Sequence, residues 1–164
     1  MSTFDMYCEL KFCIEEYGIE VLLSDCLGNF YSPADCTIHM LDFSVYSLAH
    51  EFGHHIVWGS APRRISERCQ LLFDISEGFI SPTEYKEWEN IDETLAWGIA
   101  YLALKQVFGE EISIKDFEEN ASPLLSSYTK QDVTLKEILL VLQSTLTELE
   151  LNKCFKEIEK VSSP

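Results

Sequence analysis

The sequence predicts an α+β fold, mostly helical, in which a small three-stranded sheet packs on one central helix. Two observations support this class. Three short apolar segments with β-branched or aromatic residues, at 19–23, 30–31 and 36–41, precede a helical segment that begins near residue 44. Most long stretches after that point carry apolar residues at three- and four-residue steps, as α-helices do.

Length and composition fit one globular domain spanning residues 1–164. The chain is 46% hydrophobic and 12% aromatic, which is enough for a buried core. We expect that core at about 19–108, followed by C-terminal helices over 114–160. No apolar run reaches the roughly 18 residues of a membrane span, and the N-terminus has no basic and apolar export signal. We therefore expect a cytoplasmic protein that does not enter membranes, with its six cysteines as free and mostly buried thiols.

The charge of the chain is strongly negative and unevenly distributed. The formal net charge is −16, and Lys11 is the only basic residue before Arg63. Such a surface repels phosphate backbones, which argues against direct nucleic-acid binding. It suits a basic protein partner, and it equally suits simple solubility. The one basic cluster is Arg63, Arg64 and Arg68, for which salt bridges are the first expectation and a grip on a substrate carboxylate is the second.

The central helix carries the most specific motif of the chain, His50-Glu51-x-x-His54. Residues four apart lie on one face of a helix, so the two imidazoles can reach one Zn²⁺ together. Glu51 is offset by about 100° around the axis, where it can take a proton from a metal-activated water. The alternative is a buried helix with surface histidines, but three of the four histidines of the chain lie within 50–55. Gly53 weakens the helix, so we expect another element to pack close to its backbone.

The elements before the motif have clear boundary signals. A helix is expected over Thr3–Tyr17, and Gly18 is its natural stop. Either Asp42 or Ser44 caps the motif helix at its N-terminus.

The segments after the motif predict further helices. Helix and strand both remain open for 69–75. The run Ser81-Pro82-Thr83-Glu84 is a capping box that opens one helix, and a second helix, apolar on every face, covers 94–104 and ends at Gly109. Two helices divided by Pro123 are expected over 114–128. A capping box at Thr134 opens one long helix that runs to Lys160.

The third zinc ligand requires a choice, because a catalytic zinc takes three protein ligands and keeps one position open. A third histidine six residues after the motif is excluded, since Ser60 occupies that place. A downstream glutamate is the remaining common ligand, and we favour Glu93 at the mouth of the apolar helix. Glu89 competes if that helix begins earlier, and Asp92 is a further candidate. Glu93 could instead cap the apolar helix by reaching back to the N–H of Asn90.

The segment 49–54, Ala-His-Glu-Phe-Gly-His, followed by Glu93-Thr-Leu-Ala-Trp97 resembles the small gluzincin-type zinc peptidases, and most of all their ImmA/IrrE-like group. The resemblance covers about 19–104 and implies a zincin-like fold with Zn²⁺ held by His50, His54 and Glu93. The spacing of 39 residues between His54 and Glu93 is longer than that group uses, and 81–90 looks like an insertion. Trp97 stands where thermolysin-like enzymes have an aspartate, which leaves the carboxylate partner of a ligand histidine unidentified.

The resemblance also implies a function. This group is known from bacteriophages, mobile elements and host chromosomes, and it cleaves a protein partner that is often a DNA-binding repressor. In zinc peptidases the strand before the motif helix usually forms the sheet edge and holds an extended peptide, so Thr37–Leu41 is the candidate for that edge.

Two functional hypotheses follow. The leading one is a zinc-dependent endopeptidase with Glu51 as general base, and with His39, Tyr46 or Tyr101 as stabiliser of the oxyanion. The rival is an acidic binding protein without catalysis, such as a phage-encoded inhibitor, whose zinc site is structural or vestigial. Glu51 favours the enzyme, because a site that only binds metal needs no base.

Overall fold

The computed structural model describes residues 1–25, 28–129 and 133–161. Within these ranges it contains seven α-helices, one short 3-10 helix and three strands, which confirms the predicted class of a mostly helical α+β fold with a small sheet. Their bounds in chain order are α1 Thr3–Tyr17, β1 Glu20–Leu23, β2 Phe30–Ser32, β3 Thr37–Met40, α2 Val45–Ser60, α3 Arg63–Ser76, α4 Pro82–Phe108, the 3-10 helix Gly109–Glu111, α5 Ile114–Thr129, α6 Leu135–Thr145 and α7 Glu148–Val161.

The sheet has the strand order β1-β3-β2, so β3 is its central strand. Ile38 of β3 pairs with Val21 of the parallel strand β1 and with Tyr31 of the antiparallel strand β2. The prediction that Thr37–Leu41 forms an edge is therefore wrong. The strand is central because a short turn folds β2 back so that it pairs along one side of β3, while β1 pairs along the other. The edge beside the motif helix belongs to β2.

The N-terminal helix boundaries agree with the sequence signals. Ser2 caps α1, and Gly18 ends it in the left-handed region at a φ of 106°, which costs little without a Cβ. Ser44, not Asp42, caps α2, because its hydroxyl accepts the N–H of Ser47.

Helix α4 corrects the prediction of two separate helices around residue 90. It runs unbroken for 27 residues from the Ser81 capping box to Gly109. No turn or cap interrupts it at Asn90, whose carbonyl accepts the hydroxyl of Thr94. The change from charged to apolar composition marks the point where one helix enters the core.

The C-terminal helices differ from the prediction in two places. Helix α5 continues through Pro123, because the buried residues Ala121 and Leu125 keep the parts on either side of it against the core. The expected long helix is split into α6 and α7. Leu146 is extended with a ψ of 140° and points into the core, and Thr147 then starts α7 by a reciprocal capping contact with Glu150.

One hydrophobic cluster joins α1, β1, β3, α2, α4, α5, α6 and α7, whereas α3 contributes no apolar residue to it. The cluster centres on the crossing of α2 and α4. A Cβ at Gly53 would lie 2.2 Å from the Ala96 carbonyl oxygen, so the two backbones touch there. This confirms the expected close approach to Gly53 and identifies α4, at Ala96, as the element that packs there.

Two further expectations concern cysteines and membranes. Cys13 and Cys154 are buried, but Cys8, Cys36 and Cys69 are exposed, so the expectation of mostly buried thiols is wrong for the described cysteines; Cys26 lies outside the described residues. Other apolar residues fill the core, so the three exposed cysteines are not needed to fill it. In the described ranges, no helix has both the length and the apolar character needed to cross a membrane.

Candidate metal centre

The three residues predicted as zinc ligands lie together in the structure. Nε2 of His50 is 2.9 Å from Oε2 of Glu93, and Nε2 of His54 is 3.4 Å from Oε1 of the same carboxylate. One ligand atom from each residue lies within 4.8 Å of the other two. Among the described residues, no other group of three or more His, Cys, Asp or Glu side chains is arranged in this way.

The α2–α4 crossing brings the three side chains together. His50 and His54 lie one turn apart on α2, and Gly53 between them allows α4 to approach to backbone contact at Ala96. Glu93 precedes Ala96 by three residues on α4, which turns its carboxylate toward the histidines. The backbone contact therefore holds the carboxylate within reach of both imidazoles.

The charges around the group suit a cation. Burial alone would lower the pKa of His54, but the hydrogen bond and charge of Glu93, with the charges of Glu51 and Asp92, raise it above its ordinary value. In Glu93, burial would raise the pKa, but the hydrogen bonds with His50 and His54 hold the pKa of its carboxyl well below the usual range. Two buried imidazoles and one carboxylate also form a donor set that transition metals bind. This group could hold a metal ion.

Trp97 positions His50. The indole ring stacks on the imidazole with 4.4 Å between centroids and 24° between planes. Trp97 thus supports this candidate ligand by stacking.

The position of Asp92 behind His54 is the feature that the sequence reasoning missed. Its Oδ2 atom lies 3.9 Å from Nδ1 of His54, the ring nitrogen that faces away from Glu93. The carboxylate is 3% exposed and accepts hydrogen bonds from the Trp58 indole at 2.9 Å and from Nε of Arg64 at 3.1 Å. The sequence reasoning weighed Asp92 only as a competing ligand. A buried Arg–Asp pair behind a ligand histidine has no signature at a fixed sequence spacing.

Neither Glu89 nor Asp92, the two alternatives for the third ligand, belongs to the group that His50 and His54 form with Glu93. Glu89 lies one turn earlier on the continuous α4 but does not join the His50 and His54 group. Burial, and then the charge of Glu93, raise the pKa of Glu89. The proposal that Glu93 caps a helix at Asn90 fails, because no helix begins there.

A cleft of 450 Å³ opens over the group, and Glu51 lines it together with the three ligand candidates. Glu51 is itself 7% exposed. The walls come from β2, from α3 and from the first turns of α4. The other residues lining the cleft are Asn29, Phe30, Tyr31, Ser47, Trp58, Arg68, Tyr85, Trp88, Glu89 and Asp92.

None of the three candidates for oxyanion stabilisation lines this cleft. His39 stacks on Phe30 on the sheet, and both Tyr46 and Tyr101 pack against Phe117. These assignments have no support in the structure, because strand and helix directions turn the side chains elsewhere.

Tyr31 and Tyr85 are the tyrosines that line the cleft. The Tyr31 hydroxyl forms a hydrogen bond with Nδ1 of His55 at 2.8 Å, which ties the edge strand β2 to α2. Burial, followed by the contact with Cys36, raises the pKa of Tyr31 well above its usual range.

The basic cluster on α3 serves mainly for salt bridges, as first expected. Arg63 pairs with Glu67 and Glu150, and Arg64 pairs with Glu67 and the buried Asp92. Arg68 is different, because its guanidinium lies over the Trp58 ring and lines the cleft.

Comparison of this chain with protein-family models, with curated proteins and with solved structures gives no significant match in any of the three.

Proposed function

We propose that this protein is a zinc-dependent endopeptidase that cleaves a specific intracellular protein. The observation that carries the proposal is the convergence of His50, His54 and Glu93 at the base of a cleft that also contains Glu51. A site that only stores or binds metal needs no fourth ionisable group beside the ligands.

The residues of the site have separate roles in the proposed reaction. Zinc, when bound by His50, His54 and Glu93, would polarise the scissile carbonyl and lower the pKa of water toward about 7. Glu51 accepts the proton of the attacking water and passes it to the leaving amine. Trp97 keeps the His50 ring in place by stacking, and Asp92 lies behind His54.

The edge of β2 is the element best suited to hold an extended substrate. Phe30 and Tyr31 line the cleft, and β2 pairs only with β3 among the described residues, so its other edge can pair with a peptide. Main-chain hydrogen bonds along this edge would align the peptide over the metal ligands. This replaces the edge that the sequence suggested.

A basic protein is the substrate class that the charge favours. The net charge of −16 would accelerate encounters with a positively charged partner. The resemblance to the ImmA/IrrE-like group points in the same direction, toward a DNA-binding regulator.

The first test is the metal content of the purified protein. We expect about one zinc per chain by plasma mass spectrometry, and loss of that zinc in the variant with both His50→Ala and His54→Ala. Stoichiometric zinc in the double variant would place the metal elsewhere.

The decisive test compares the wild type with Glu51→Gln in the native host, with cleaved proteins identified by mass spectrometry. The amide cannot accept a proton, so cleavage should fall by about 10²- to 10⁴-fold while zinc is retained. Glu87→Gln is the matched control, because Glu87 is exposed on α4 and does not line the cleft. Undiminished cleavage by Glu51→Gln would contradict the mechanism. A biological effect that persists without any cleavage would support the acidic binding protein instead.

A further inference from the structure

Arg68 differs from the other two arginines of the chain, although all three lie on α3. Arg63 and Arg64 each bind two carboxylates. Across residues 1–25, 28–129 and 133–161, by contrast, no carboxylate lies within salt-bridge distance of Arg68. In a chain with 28 acidic residues, this leaves its donors available to a ligand.

Arg68 lies near the candidate metal centre, next to the Trp58 ring that also contacts His54. Its guanidinium carbon lies 5.5 Å from the centre of the Trp58 ring, and that ring lies 5.2 Å from the imidazole of His54. One indole therefore separates the guanidinium from a metal ligand. Arg68 is also the only lysine or arginine among the described residues that line the cleft.

The chemistry of this arrangement suits a carboxylate. A guanidinium presents five N–H donors in a planar fork that matches the two oxygens of a carboxylate. Packing on the face of Trp58 restricts the side chain and leaves the edge of the fork accessible from the cleft. Because the side chain is already partly buried, little freedom remains to be lost on binding.

Glu89 is the competing group in the same cleft. It is close enough for its charge to interact with that of Arg68, but the two side chains form no salt bridge. If Glu89 controlled recognition, the cleft would favour a cationic side chain.

We propose that Arg68 is a specificity residue that binds a carboxylate of the substrate close to the scissile bond. The inference rests on the proposed peptidase function and deepens it. An acidic side chain and the C-terminal carboxylate of the substrate offer the same chemistry to the guanidinium, so the test must separate these two sources.

The experiment measures the affinity of the zinc-loaded full chain for four peptide hydroxamates by calorimetry. The hydroxamate binds zinc in every probe. The four probes share one scaffold and end in alanine amide, in aspartate amide, in alanine with a free carboxylate, or in lysine amide. We expect at least one carboxylate probe to bind about tenfold or more tightly than the alanine amide. The aspartate amide identifies a side-chain source. The free alanine identifies the chain terminus, which would keep the role of Arg68 but replace the proposed endopeptidase with a carboxypeptidase.

Variants assign the preference to Arg68. Arg68→Gln should abolish the carboxylate preference, so that the carboxylate probes bind no more tightly than the alanine amide does to the same variant. Arg68→Lys should keep part of the preference, because it retains the charge but loses the planar fork. Arg63→Gln is the matched control, since Arg63 is paired on the same helix and does not line the cleft.

The outcomes separate the two proposals. Equal affinity for the amide and carboxylate probes, or a preference that survives in Arg68→Gln, overturns the role of Arg68 alone. Tightest binding of the lysine amide also overturns it and assigns recognition to Glu89. Failure of all four hydroxamates to bind a chain that retains zinc overturns this inference and the proposed function together.

Discussion

The two halves of α4 lie on one continuous helix but in different surroundings. We call residues 82–91 the outer half and residues 92–108 the inner half. No residue of the outer half is buried, whereas the inner half is buried along most of its length from Asp92 onward. The outer half packs on α3 through Trp88, which lies under the Arg64 guanidinium and donates a hydrogen bond to Glu67.

This difference separates two tasks within one element. The inner half is held by backbone contact with α2, so Glu93 in its first turn is placed precisely enough to share a cation with His50 and His54. The outer half forms a wall of the cleft through Tyr85, Trp88 and Glu89. Changes in the inner half should therefore affect the metal and the fold, and changes in the outer half should have local effects.

The largest expected effect is on metal binding, and it is measured by comparing variants of Glu93 and Glu89. Glu93→Ala removes one of the three proposed ligands. Loss of a residue that only supports a ligand costs about 10- to 100-fold in metal affinity, so loss of Glu93 should lower zinc affinity by more than that. Glu89→Ala, one turn away in the outer half, should change it little. Competition with a chromophoric chelator measures both. The reverse order would show that the helix presents its other carboxylate to the metal.

The next effect is on stability, at the first residue of the inner half. Asp92→Asn removes the buried one of the two carboxylates that pair with the Arg64 guanidinium, which should lower the free energy of unfolding by about 3–5 kcal/mol. Urea denaturation of the metal-free protein measures the loss. Glu67→Gln also removes a partner of Arg64, but Glu67 is partly exposed, so its effect should stay within about 1 kcal/mol. Equal losses in the two variants would refute the special role of Asp92.

The helix crossing can be tested with two glycines of α2. Gly53→Ala places a methyl group against the Ala96 carbonyl, so the helices must separate, at a cost of about 1–3 kcal/mol. Zinc affinity should fall as well, because Glu93 moves with α4. Gly59→Ala meets no atom within 4 Å and should leave stability unchanged or raise it by up to about 1 kcal/mol. Thermal unfolding and zinc titration of both variants would show whether the effect of the added methyl group depends on the contact with Ala96 or on helix propensity.

The smallest effect concerns the start of the outer half. Ser81→Ala removes the capping box of α4, which should weaken the first turns by about 1 kcal/mol. Hydrogen exchange should then accelerate over 82–91 and stay unchanged over 92–108, with zinc affinity preserved. Faster exchange along the whole helix would mean that the two halves unfold as one unit.

Local chemistry explains what the sequence predicted well. Caps and stop signals act over three or four residues, so Gly18 and the Ser81 box marked helix ends correctly, and Ser44 was one of the two caps predicted for α2. The spacing of His50 and His54 placed both on one helix face for the same reason. Glu93 was also predicted, since a carboxylate at the head of an apolar face requires a cation or a comparable partner.

The errors in the helix boundaries arose where a composition change or a proline was taken as a break, or where a capping box was overlooked. Packing carries α4 through Asn90 and α5 through Pro123, whereas Thr147 divides a segment whose leucine spacing suggested one helix. Whether a helix continues or ends at these positions depends on the surface against which each of its turns packs.

The sequence by itself determined the class of fold, the motif helix and the three side chains that meet at the candidate metal centre. Only the tertiary structure decided that β2 is the edge strand beside the cleft, that Asp92 lies behind His54 and that Arg68 reaches the cleft. Ligand spacing on one helix follows from a rise and a rotation per residue that hold for every helix. Strand order and contacts between distant helices follow from how whole surfaces bury one another, and no spacing along the chain records that arrangement.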